Sequence, residues 1–252
     1  MSADAPLLSL RGVSKTFGAQ GRALAGLDLD LARGEFLSLI GPSGCGKSTA
    51  LRLIAGLIAP DAGALEWAGG VRPEIGFVFQ APTLTPWADA RTNVWLPLRL
   101  QGVSWRRARG RVEAALERVG LADRARAYPR ELSGGMAMRV SIARALVAEP
   151  SVLLMDEPFA ALDEITRFRL NDDLARIVRE SGASVVFVTH SIFESVYLSS
   201  RVAVFSPAPG RIVETLAVDS PQPRSADFRL TPLFSLYARR LSDALVANEA
   251  RA

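Results

Sequence analysis

Nine residues, Gly41-Pro42-Ser43-Gly44-Cys45-Gly46-Lys47-Ser48-Thr49, carry the densest chemistry in the chain and satisfy G-x-x-x-x-G-K-[ST]. Gly44 and Gly46 let the backbone curl so that its N–H groups point inward without interference from a Cβ. A helix opening at Thr49–Ala55 adds orphan donors and a partial positive charge, a seat for a polyphosphate. Lys47 then reaches the β- and γ-phosphates as a point charge, and the Ser48 hydroxyl suits Mg²⁺. Only two of the 30 basic residues are lysines, Lys15 and Lys47. A second element, Asp156-Glu157, ends the apolar run Val152–Met155. At the carboxyl end of a buried strand, Asp156 is suited to hold the Mg²⁺ shell, while Glu157 can polarise a water against the γ-phosphate. His190, the only histidine, follows Val185–Thr189 and so projects from a third apolar strand. A single histidine is more often structural, but beside a γ-phosphate its ring can orient water or contact the transferred oxygens.

Positioning these groups requires strands and helices in a particular order. Short β-rich runs predict strands at Leu7–Val13, Leu24–Leu31, Glu35–Ile40, Ile75–Phe79, Val152–Met155, Val185–Thr189 and Val202–Ser206. FLSLI, VLLM and VVFV are apolar throughout, as expected of parallel strands covered on both faces. The first two runs alternate with polar residues and lie close together, which predicts an antiparallel edge layer. Ser104–Val119 and Gly134–Ala148 show helical spacing, with Val112, Ala115, Leu116 and Val119 on one face. The expected architecture is therefore α/β, with a parallel nucleotide-type core, an N-terminal antiparallel β layer and a helical insertion at about 85–150.

Composition narrows the class further. A chain of 252 residues with 49% hydrophobic and 22% charged residues is that of a folded α/β protein, not a disordered segment. One cysteine and one histidine exclude an internal disulfide and a zinc site built from those residues. No run approaches the ~20 apolar residues of a spanning helix. The opening, with Asp4, lacks a basic start followed by an apolar run, so it does not read as a signal peptide and the chain reads as cytoplasmic. The net charge of +4 is dispersed, and the basic run Arg106, Arg107, Arg109 and Arg111 is soon followed by Glu113 and Glu117. That pattern is a solvated helix face, and no nucleic-acid partner is expected.

Taken together, these residues resemble the ATP-binding cassette family, the motor subunits of membrane transporters. Gly41–Thr49 looks like its Walker A loop, Val152–Asp156 its Walker B strand and Glu157 its catalytic glutamate. Leu132-Ser133-Gly134-Gly135-Met136 resembles the signature that separates this family from other phosphate-loop proteins. Gln80 resembles the Q-loop, Ala161-Leu162-Asp163 the D-loop and His190 the switch histidine, while Phe17 matches the aromatic that stacks on adenine. The match runs from residue 7 to about 215 of a single ATPase domain, with a helical tail at about 218–252 beyond it. The resemblance implies a P-loop NTPase core that binds ATP and Mg²⁺, the metal held by Ser48, Gln80 and Asp156. It also implies a head-to-tail dimer in which Ser133, Gly134 and Gly135 face the partner's nucleotide and Asp163 aligns the opposite protomer.

With no spanning helix expected, the resemblance further implies separate permease subunits, an indirect substrate-binding protein, and a place on the cytoplasmic face of the inner membrane. The segment 81–94 would receive the permease's coupling helix, with Leu84, Trp87 and Trp95 as apolar contacts. Its Leu-Thr-Pro-Trp pattern and Met136 look most like the nitrate, sulfonate and taurine importers. The alternative is a soluble cassette in DNA repair or translation, a class that usually carries tandem cassettes or a long coiled coil. Three departures stand out. Met136 replaces the usual glutamine, Ala137-Met138 the usual basic and glutamine pair, and Ala160 a common serine. Cys45, at a helix N-terminus, is expected to be sensitive to modification. A C-terminal stripe of Leu230, Leu233, Phe234, Tyr237, Leu241 and Leu245 has helical spacing and is expected to dock on its own domain.

Overall fold

The structure, a computed structural model, describes residues 5–18, 21–220 and 224–249. Asp4 and the tail residues 221–223 and 250–252 lie outside the described residues. In chain order the elements are β1 (Leu8–Phe17), β2 (Gly21–Leu31), β3 (Phe36–Ile40), α1 (Lys47–Ile54), β4 (Ala62–Trp67) and β5 (Ile75–Val78). There follow α2 (Ala90–Leu100), α3 (Trp105–Arg118), α4 (Gly134–Leu146), β6 (Val152–Asp156) and α5 (Glu164–Ser181). The chain closes with β7 (Ser184–Val188), α6 (Ile192–Leu198), β8 (Arg201–Phe205), β9 (Ile212–Ala217) and α7 (Pro232–Glu249). Two compact units result, Met1–Pro73 with Ser184–Ala252, and Glu74–Ala183.

In the first unit, β2, β1 and β4 form an antiparallel sheet with β1 in the centre. β4 went unrecognised in the sequence because Ala62-Gly-Ala-Leu-Glu-Trp67 is poor in β-branched residues, and only its ladder to β1 holds it extended. The unit's other strands run in the order β7-β3-β8-β9. β3 lies parallel between β7 and β8, and all five residues of β3 and of β7 are buried. Apolar side chains on both faces are what such a two-sided position requires. β9 pairs antiparallel with β8 at the edge. After it, α7 buries Phe234, Tyr237 and Leu241. Phe234 stacks on Phe193 of α6 at 5.8 Å, and Asn248 Nδ2 donates to Phe205 O at 3.0 Å. Phe234, Tyr237 and Leu241 of the stripe thus dock on their own unit as expected, whereas Leu230 precedes the helix and is 85% exposed and Leu233 is exposed as well.

Arg224 secures this tail. Its Nη1 donates to the carbonyls of Val196, Tyr197 and Ser199 at 2.7–2.9 Å, and its Nη2 to that of Val218 at 3.0 Å. Burial pulls its pKa down to about 10, and the carbonyl acceptors offset the cost of placing a charge there.

In the second unit, β5 and β6 pair in parallel. Ser104 and Val119, the expected ends of α3, flank it as N-cap and C-cap, and Val112, Ala115, Leu116 and Val119 are buried as the spacing predicts. Arg109 on the opposite face pairs with Glu113 at 2.7 Å in water. The sequence pattern predicts neither α2 nor α5. In α2, Pro97 breaks the expected pattern, yet Asp89 caps the start by accepting from Thr92 N–H at 2.9 Å. α5 is largely charged, but Leu170, Leu174, Ile177 and Val178 form its buried stripe, and Gly182 ends it at φ 67°.

Candidate functional site

The phosphate loop links β3 to α1, and its glycines are fixed by their neighbours. A Cβ on Gly46 (φ 100°) would lie 2.6 Å from Ala23 O, and one on Gly41 would lie 2.9 Å from Phe205 O. Gly44 (φ 76°) has the opposite surroundings, with open space where its Cβ would be, and with Ser43 it forms the exposed crest of the loop. Strands thus press the loop from beneath, and its crest is free to approach a ligand. Lys47 is 5% exposed and donates through Nζ to Gly41 O at 2.7 Å and Pro42 O at 2.8 Å. Ser48 is half-buried and Thr49 buried in the first turn of α1, which starts at Lys47, two residues before the expected Thr49.

Cys45 corrects an expectation. It is fully buried, and burial pushes its thiol above the usual 9.0, although Lys47 Nζ at 3.6 Å pulls the other way. A protonated, enclosed thiol is inert, so Cys45 is a packing residue and not a modification site. The same unit carries Phe17 and His190. Phe17 is half-buried at the end of β1, with Lys15 Nζ 5.7 Å from its ring centre, so it is not a core side chain. His190 is exposed two residues beyond β7, after Thr189.

The second unit holds the remaining residues. Gln80 is exposed two residues beyond β5, where Phe77 and Phe79 stack at 4.2 Å. Asp156 ends β6 half-buried, and Glu157 follows in the left-handed region at φ 46°. For a non-glycine residue that backbone costs of order 1–3 kcal/mol, and it turns the glutamate away from the strand direction. Ser133 caps α4, its Oγ accepting from Met136 N–H at 3.2 Å. Gly134 is exposed, whereas Gly135 is buried where a Cβ would come within 2.9 Å of Thr166 Cγ2. Asp163 caps α5, accepting from Thr166 N–H at 2.9 Å, and that bond holds its carboxyl below the usual 3.8.

Asn93 and Arg144 organise the segment after Gln80. Asn93 is fully buried, and its Oδ1 accepts from Thr85 N–H at 2.7 Å while Nδ2 donates to Ala88 O at 3.0 Å. Arg144 of α4 donates to Thr83 O and Pro82 O, both at 2.8 Å. An arginine in the otherwise apolar turn Ile142–Leu146 was the available signal. Beside this segment lies a groove of about 370 Å³ lined by Thr85, Trp87, Leu96, Arg99 and Tyr128 among others. Trp87 is 79% exposed and Leu84 and Trp95 are half-buried, Trp95 lying edge-on to Trp105.

Ser48, Gln80 and Asp156 offer hydroxyl, amide and carboxylate oxygens, the hard donors that Mg²⁺ takes, usually alongside phosphate and water. Among the described residues no group of three or more His, Cys, Asp or Glu could hold a metal by itself, and no helix is long and apolar enough to cross a membrane.

The ABC transporter family model matches residues 24–160. A putative ATP-binding protein of Brucella abortus biovar 1 is 43% identical over 95% of this chain and 94% of its own. The aliphatic sulfonates import ATP-binding protein SsuB 1 of Xanthomonas axonopodis pv. citri is 47% identical over 86% of this chain and 88% of its own. A solved dimeric ATP-binding cassette in a post-hydrolysis state, bound to ADP and Pi, superposes with a TM-score of 0.74 at 33% identity, covering 85% of this chain and 100% of that one. With its phosphate loop, its acidic strand end and this breadth of similarity, the chain belongs to the ABC transporter family and is an ATPase of that family.

Proposed function

We propose that the chain is the ATP-hydrolysing subunit of an importer for a small organic anion, an alkanesulfonate in the first instance. It works with separate permease subunits at the cytoplasmic face of the membrane. The observation that carries the ATPase reading is the phosphate loop itself, pressed from beneath at Gly41 and Gly46 and open above at Gly44. Loop N–H groups and the start of α1 bind the phosphates, and Lys47 exchanges its two loop carbonyls for phosphate oxygens. Phe17 gives adenine a flat apolar face. Glu157 positions the attacking water and His190 orients it against the γ-phosphate. Ser48, Asp156 and Gln80 would hold Mg²⁺, which when bound neutralises charge on the phosphates. Ser133, Gly134 and Gly135 serve the nucleotide of a second copy in a head-to-tail dimer, and Asp163 lies at that contact.

The cargo class rests on relatives from Xanthomonas, Bacillus and Pseudomonas named for aliphatic sulfonate import. The helical insertion at about 85–150 carries the groove beside Trp87, which suits a short permease helix laid across an aromatic rim. These importer names favour the reading over a repair or translation ATPase. A tagged chain drawn from detergent-solubilised membranes is expected to bring down a hydrophobic permease. A strain lacking the chain should fail to grow on an alkanesulfonate as sole sulfur source. Recovery of ribosomes or DNA in place of the permease would contradict the proposal.

A further inference from the structure

His190 is a solvent-exposed side chain on a backbone held by buried groups on both sides. Before it, Thr189 N–H donates to Leu39 O of β3, the strand that leads into the phosphate loop, at 3.3 Å. The Thr189 hydroxyl donates to Glu194 Oε2 at 2.5 Å and accepts from Ser191 N–H at 2.9 Å. Glu194 N–H in turn donates to Ser191 Oγ at 3.3 Å. These three bonds close a ring, Thr189 to Glu194 to Ser191 and back, with His190 in the short arc between its members. Thr189 is 2% exposed and Glu194 5%, so the bond between them lies away from water, where a hydrogen bond is strongest. Arg224 grips the carbonyls at the far end of α6, so the helix carrying Glu194 is held at both ends.

We infer that Thr189 and Glu194 are positioning residues for His190. They fix the backbone on both sides of the imidazole and so set where its ring meets the γ-phosphate. The inference rests on the proposed role of His190 in hydrolysis. Capping α6 alone would need only Ser191, whose Oγ already accepts the Glu194 N–H. The link from Thr189 Oγ1 to the Glu194 carboxylate adds little to the cap and instead couples the residue before His190 to the helix after it.

The test uses full-length protein and phosphate release from Mg-ATP. Thr189→Val keeps the shape and removes the hydroxyl. It is expected to lower kcat about 10-fold with KM for ATP within about twofold, because misplacing a catalytic group chiefly costs turnover. Thr189→Ser restores the hydroxyl and should recover most of the loss. Combined with His190→Ala, Thr189→Val should cost nothing further, since the clamp acts through the ring. Because His190 is the chain's only histidine, its imidazole Cε1–Hε1 resonance is unambiguous and should shift or broaden in Thr189→Val. Should Thr189→Val fold poorly, Glu194→Gln probes the same bond and is expected to show the smaller loss of kcat and the same displaced resonance.

Wild-type turnover in Thr189→Val beside a slow His190→Ala overturns the clamp and leaves the His190 reading intact. Losses that multiply in the double variant overturn it as well. Near-normal turnover in His190→Ala overturns the His190 reading itself, and the clamp with it.

Discussion

Glu157 and Cys45 show how position decides what a residue type can do. Glu157 occupies a left-handed backbone at φ 46°, conformational strain that the surrounding strand and turn must sustain at the proposed hydrolysis centre. Cys45 lies within the most reactive-looking loop of the chain, yet it is fully buried and its thiol is pushed upward by that burial. Native protein at neutral pH is therefore expected to resist a maleimide over hours, whereas the same protein in guanidinium labels within minutes. Rapid native labelling would contradict the packing role. Asp163 offers a pH test. Its carboxyl is held below the usual 3.8 by the Thr166 N–H it caps, so its contribution is complete at neutral pH and is lost as the pH falls through the lowered value. Asp163→Asn keeps a capping oxygen that does not titrate. The variant's melting temperature should fall less steeply than that of the wild type as the pH drops below the usual 3.8, and parallel curves would contradict the cap.

Among the elements, α7 is the clearest case of a pattern whose consequence only packing reveals. Phe234 is 3% exposed between Phe193 and Phe228. Its replacement by alanine is expected to destabilise the protein by about 3–5 kcal/mol, read as a shift in the denaturant midpoint. A change below about 0.5 kcal/mol would mean that the tail does not contribute to folding. The strands β3, β6 and β7 were legible because burial on both faces leaves continuous apolar runs, and α3 because one buried face repeats every three to four residues. β4 was not, because an alanine- and glycine-rich edge strand owes its shape to β1 and not to its own side chains. α2 was masked by Pro97, which helical periodicity does not anticipate. The phosphate loop was legible, since phosphate binding demands glycine, lysine and hydroxyl at fixed spacing. The contacts of Asn93 and Arg144 were not, because their partners are backbone groups, and no spacing rule records that.

For the whole molecule, the account makes one chain an incomplete machine. On the proposed reading, the loop around Lys47 would grip a triphosphate from one side, while Ser133 and the start of α4 would offer a hydroxyl and a helix terminus to a second copy. A solved relative at 33% identity is a dimer with ADP and Pi bound, the state such a cycle would pass through. The most direct measurement sets phosphate release from Mg-ATP beside molar mass by light scattering, for wild type and Glu157→Gln. The account predicts steady turnover and a mainly monomeric wild type. The variant should be slowed at least about 100-fold and run as an ATP-dependent dimer that reverts to monomer when ATP is removed. Near-normal hydrolysis by Glu157→Gln, or a variant that stays monomeric at saturating ATP, would contradict the central claim.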